Sequence, residues 1–215
     1  MTLYRLSSSL LLAASLVLPL PAAQAASFSC SKATTPAERI ICGDKDLGAR
    51  DGLMARLFAA ALRGEDRDKV RASQQSWHDA LMACGNAACV KQSYDKRIFE
   101  LIGTKGGRSA TTEFHRGNSD RDQGSLVVAG PVDGMVAFSI SATYVGKGGA
   151  AAGDVYASGA DGVVRLEGDS GKIDMGQGCV VTVSRVDARS WRAAQTEPCG
   201  AQFAANISLD GLYRR

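Results

Sequence analysis

The sequence predicts an α+β chain of two modules, a disulfide-stapled four-helix unit followed by an antiparallel β sandwich or small barrel. Three observations predict it. Before about residue 103 the apolar positions recur at helical spacing, and after it they alternate as in half-buried strands. The six cysteines fall into sequence-local pairs. The first stretch reads as a removable leader, which places the rest where cysteines oxidise.

The leader is expected over residues 1–25. Arg5 gives a positive start, Leu10 to Leu20 an apolar core, and Ala23-Gln24-Ala25 the small residues that a signal peptidase accepts. A membrane-spanning helix needs roughly 20 apolar residues, and Pro19 and Pro21 interrupt this run early. Cys30 does not follow the small-residue site directly, so no lipid anchor is expected. The mature chain is therefore expected to be soluble and periplasmic or secreted, with no transmembrane segment.

In that setting Cys30, Cys42, Cys84, Cys89, Cys179 and Cys199 read as a structural disulfide framework. Three bridges allow 15 connectivities, and local pairing (Cys30 with Cys42, Cys84 with Cys89, Cys179 with Cys199) is the preferred one. A zinc site is disfavoured because the two histidines, His78 and His115, lack a ligand-spaced partner. No metal or cofactor is expected.

The helical unit is expected over residues 26–102. Thr35-Pro36-Ala37-Glu38 is a capping box with proline at the first helical position, so a helix starts there and runs to about Cys42. A second helix runs from about Asp46 to Leu62, with Leu47, Met54, Leu57, Phe58 and Ala61 on one face. A third starts near Asp66 and turns Val70, Trp77 and Leu81 inward. A fourth follows Gly85-Asn86 with Val90, Tyr94, Ile98 and Leu101 on one stripe. Short connections make these helices antiparallel neighbours.

Residues 103–122 are Gly-, Ser- and Asp-rich without periodicity and read as a linker. The segment Gly103-Thr104-Lys105-Gly106-Gly107 lacks the spacing of a phosphate-binding loop. The β domain is expected over 123–215. Val136, Phe138, Ile140, Ala142 and Tyr144 alternate with small polar residues, and Cys179–Ser184 is a second clear strand. Shorter strands are expected at Ser125–Ala129, Asp154–Ser158, Val163–Glu167, Trp191–Gln195, Ala201–Ile207 and Leu212–Arg214, with turns at Asp161-Gly162 and Asp210-Gly211.

A net charge of +3 is too small for a protein that binds nucleic acid by neutralising phosphates. No catalytic constellation is legible either. His78 sits beside Trp77 on a helix, His115 falls in the expected linker, and no G-x-S-x-G motif occurs. Asp44/Asp46 and Asp66/Asp68 suit helix starts as dipole-favourable surface residues. Trp77, Trp191 and Tyr213 read as core aromatics rather than binding anchors. The chain is therefore expected to be a binding protein and not an enzyme, and no binding residue is singled out.

Cys30-x₁₁-Cys42 with its capping box, Leu47-x₃-Asp51, Gln74-x₂-Trp77-x₆-Cys84-x₄-Cys89 and Tyr94-x₂-Arg97 together resemble the LprI-type lysozyme inhibitor N-terminal domain, over about residues 28–102. Two positions depart from that pattern: Phe58 stands where the family usually has Tyr, and Leu81-Met82 replaces an Arg-Asp pair before the third cysteine. The resemblance implies an envelope-facing domain that binds lysozyme, or another peptidoglycan hydrolase, and blocks it by non-covalent occlusion. The second half is similar, more distantly, to the small β-barrel of MliC-type lysozyme inhibitors, without their Ser-x-x-x-Gly-x-x-Tyr signature. The alternative is an envelope ligand- or glycan-binding or structural module with no inhibitory activity. Residues 27–102 carry net +2 and residues 103–215 net zero, so a basic lysozyme would have to be met by shape or a local patch rather than by an acidic field.

Overall fold

The computed structural model describes residues 26–215, apart from Glu65, Asp120 and the side chain of Asn118. The expected leader, residues 1–25, lies outside them. Helices come first: α1 (Pro36–Gly43), α2 (Lys45–Ala61), α3 (Arg67–Met82), α4 (Ala87–Ile102) and the single turn α5 (Lys105–Arg108). Eight strands follow: β1 (Thr111–Ser119), β2 (Asp122–Val132), β3 (Met135–Val145), β4 (Val155–Arg165), β5 (Ser170–Gly176), β6 (Cys179–Asp187), β7 (Ser190–Gln195) and β8 (Gly211–Arg214). The chain is mixed α+β. Among the described residues no helix is long and apolar enough to cross a membrane.

Local chemistry sets the helix starts. Thr35 accepts from the Glu38 amide while the Glu38 carboxylate accepts from the Thr35 amide, completing the capping box. Asp44 caps α2 through the Asp46 and Leu47 amides, and Asn86 caps α4 through Cys89. The bridges Cys30–Cys42 and Cys84–Cys89 hold the chain entering α1 and the turn between α3 and α4. Leu47, Met54, Leu57, Val70, Leu81, Val90, Tyr94, Ile98 and Leu101 are all buried, as their spacing predicts.

All strands join one antiparallel sheet in the order β4-β3-β2-β1-β8-β7-β6-β5. It curls until its edge strands β4 and β5 lie side by side, giving a near-barrel with one seam not joined by a hydrogen-bonded ladder. Leu126, Phe138, Ile140, Val181, Trp191 and Tyr213 fill its interior. Residues 196–210 fold back over one end, where Phe203, Ile207 and Leu209 are buried and Cys199 is bridged to Cys179 of β6. The Ala204 amide reaches β4, donating to Ser158 Oγ at 2.8 Å.

The outer face of the sheet is not left to solvent. Val127, Ala129, Met135, Ala137 and Val163 point away from the barrel interior and join Ile41, Leu53, Leu57 and Ile98 in one apolar core. Helices and sheet therefore share a core instead of packing as independent units.

Three expectations are corrected here, and one strand is added. Residues 103–122 are not a linker: α5 and β1 occupy them. Their glycines serve close packing, since a Cβ on Gly107 would overlap the Leu101 carbonyl and one on Gly106 would lie 2.5 Å from the Ala60 carbonyl oxygen. Asp161-Gly162 is not a turn but the middle of β4, which fuses two expected strands. Gly162 is needed because a Cβ there would come 3.0 Å from Ile173 across the seam. Ala201–Ile207 is not a strand but part of the plug, its apolar residues buried by the barrel end. The unforeseen β5 has Gly171 and Ile173 as its buried positions, too little alternation to register in sequence.

Candidate functional site

Two concave regions stand out, one within the helices and one where the helices meet the seam. The helical one, about 320 Å³, lies between α1, α2, α3 and α4 and is lined by Phe28, Met54, Phe58, Trp77, Leu81 and Tyr94, among others. At its floor is Asp51, only 4% exposed. Asp51 Oδ1 accepts from the Tyr94 hydroxyl at 3.0 Å and Oδ2 from the Ser27 amide at 2.5 Å. Burial foremost, and then the Asp51 charge, push the Tyr94 phenol well above its ordinary value, so it stays a donor.

Beside it, Arg97 is 4% exposed and donates from Nε to Gln74 Oε1 at 2.9 Å, from one terminal nitrogen to Ser73 Oγ at 3.0 Å, and from the other to Glu100 at 3.0 Å. Trp77 stands edge-on to Tyr94 with ring centroids 5.3 Å apart, and its indole donates to the Ser93 carbonyl. Asp51, Gln74, Trp77, Tyr94 and Arg97, scattered over three helices, thus meet in one polar-aromatic knot. Trp77 is half-buried rather than fully inward.

The second region is a cleft of about 440 Å³ where α2 and α4 face β4 and β5. Phe99 of α4 is half-buried at its side, and Asp161, Glu167, Lys172 and Asp174 supply charged walls. Arg50 is fixed beneath it, donating to Asp95 at 2.8 Å and to the Val163 carbonyl at 2.7 Å. That second bond satisfies a backbone oxygen of edge strand β4, which has no strand partner on that side. Arg165 of β4 pairs in turn with Asp46 of α2 at 2.6 Å. Sequence reasoning missed this cleft, since its residues come from four separated elements. Asp46, expected as a surface residue at a helix start, is also an anchor between helix and sheet.

The remaining singled-out residues separate. His78 lines the helical cavity, 3.9 Å from its exposed neighbour Asp79. His115 faces a shallow hollow on the outside of β1, β2 and β3. Trp191 and Tyr213 are barrel core: Trp191 meets Phe138 edge-on at 5.3 Å, and the Tyr213 hydroxyl donates to the Leu209 carbonyl at 2.9 Å. No group of acidic, histidine or cysteine side chains suited to a metal ion occurs among the described residues. Asp44 is a cap, and Asp66 and Asp68 make exposed ion pairs with Lys69 and Arg71. No family model matches the chain, and comparison with curated proteins and with solved structures returns no match.

Proposed function

We propose that the chain is an exported, disulfide-stabilised binding protein whose helical part is an LprI-like domain, and that it inhibits a peptidoglycan hydrolase by non-covalent occlusion. The observation that supports this reading is the knot. Outside the cysteines, the α1 capping box and Leu47, the side chains that carry the resemblance gather at one cavity: Asp51, Gln74, Trp77 and Tyr94 line it, and Arg97 is bonded to Gln74, as a shared domain framework requires. Three disulfides fit a periplasmic or extracellular setting. The near-neutral charge of both halves makes shape the source of affinity. Mixing the oxidised mature protein with c-, g- and i-type lysozymes and following cell-wall clearing tests the reading. Slowing at micromolar protein is the expected result, and unchanged clearing with all three enzymes sinks it.

A second reading, binding of an envelope glycan or peptide, is favoured by the seam cleft, where a half-buried aromatic sits among charged side chains. Titration with peptidoglycan fragments separates the two. Fragment binding that is lost in Phe99→Ala, together with unaffected lysozymes, supports the cleft reading over inhibition.

A further inference from the structure

We propose that buried Asp51 is the seat of a primary ammonium, and that its occupant is the chain's own α-amino group once the leader is removed. The inference rests on the reading of residues 1–25 as a leader cleaved after Ala25.

Asp51 lies on α2 with 4% of its surface exposed, and its two recorded partners, the Tyr94 hydroxyl and the Ser27 amide, are both neutral donors. A carboxylate removed from water needs a compensating charge as well as hydrogen bonds. Neither nearby guanidinium supplies it: Arg50 is held by Asp95 and the Val163 carbonyl, and Arg97 gives its three nitrogens to Gln74, Ser73 and Glu100. The strand of chain that reaches Asp51 is residues 26–28. Ala26 and Phe28 both pack against the helical core, so this segment is seated there.

The small residues Ala23 and Ala25 place the scissile bond between Ala25 and Ala26. Hydrolysis adds water across that peptide bond: hydroxide goes to the Ala25 carbonyl carbon and a proton to the Ala26 nitrogen. The leader then ends in a carboxylate, and the mature chain begins with an amine that takes up a proton at neutral pH. Consecutive backbone nitrogens are at most about 3.7 Å apart. With Ser27 N already 2.5 Å from Asp51 Oδ2, the new ammonium falls within about 6 Å of the carboxylate, the range in which opposite charges stabilise each other. Before cleavage the same nitrogen is a neutral amide, so processing completes the core of the helical part.

The test uses the full mature chain, oxidised, with two N-termini: one starting at Ala26 and one carrying Gly-Ser-Gly before it. Each is made with Asp51 and with Asp51→Asn. The extension is expected to lower Tm by about 3 °C or more in the Asp51 protein, and to change it little in the Asp51→Asn protein. An equal drop in both backgrounds, or none in either, overturns the proposal. A second measurement covers an Asp51→Asn chain that does not fold: acylation of the α-amine at pH 7, folded against reduced and unfolded. Acylation slower by about tenfold corresponds to an amine held protonated by one extra pKa unit and supports the seat, whereas equal rates overturn it. N-terminal sequencing of the exported chain judges the leader reading separately. A start at another residue removes both ideas, and a start at Ala26 without coupling removes this one alone.

Discussion

Tyr94 shows how much one hydroxyl does in this protein. Its ring packs on Trp77 while its oxygen satisfies a carboxylate that water scarcely reaches. Tyr94→Phe keeps the ring and strips Asp51 Oδ1 of its donor, so urea unfolding should show a loss of about 1–3 kcal/mol. Arg97→Lys should cost a similar amount, because an ammonium cannot reproduce the three-way fork to Gln74, Ser73 and Glu100. The Glu100 side chain is 44% exposed, so the ion pair contributes little and the loss comes from the displaced fork to Gln74 and Ser73 on the buried guanidinium. An Arg97→Lys protein as stable as the parent would show the knot to be incidental.

At the scale of elements, α1 depends on a charged cap. The Thr35 and Thr34 amides and the Thr35 hydroxyl hold the Glu38 carboxyl down at about 2 against an ordinary 4.5. A depressed acid contributes fully above its unfolded value and loses that contribution as pH falls through the folded one. Acidification from about pH 4.5 toward 2 should therefore loosen α1, and Glu38→Gln should make that part of the Tm-against-pH curve shallower. The cap was legible in sequence because it is local, as were α2 to α4, β3 and β6, whose periodicity is complete. What escaped reading was set by distant partners. Arg116 of β1 takes an inward position, 7% exposed, and is neutralised by Asp122 at 2.9 Å, so the strand lacks the alternation that marks β3. Gly106, Gly107 and Gly162 look like flexible punctuation until the chain that crowds them is in place. The seam cleft was hidden for the same reason, since Arg50, Phe99, Asp161 and Lys172 have no shared motif.

For the whole molecule, the shared core under α2 and α4 implies a single unfolding event. Helical circular dichroism and tryptophan fluorescence should melt together, and Met135→Ala, at a fully buried site between helices and sheet, should lower both transitions equally, by about 2–5 kcal/mol. Two separated melts would return the chain to a pair of independent modules. Cys199→Ser should cost about 2–4 kcal/mol by freeing the plug over the barrel end, read by denaturant midpoint. The order of the bridges matters beyond stability. The cysteines pair in chain order, first with second, third with fourth and fifth with sixth, at separations of 12, 5 and 20 residues. A chain emerging N-terminus first into an oxidising space therefore meets its correct partners in order, and an oxidase working on thiols as they appear makes the native bonds without a later reshuffling step. With the export proposed above, formation of the three bonds is expected to depend on a thiol oxidase and not on a disulfide isomerase.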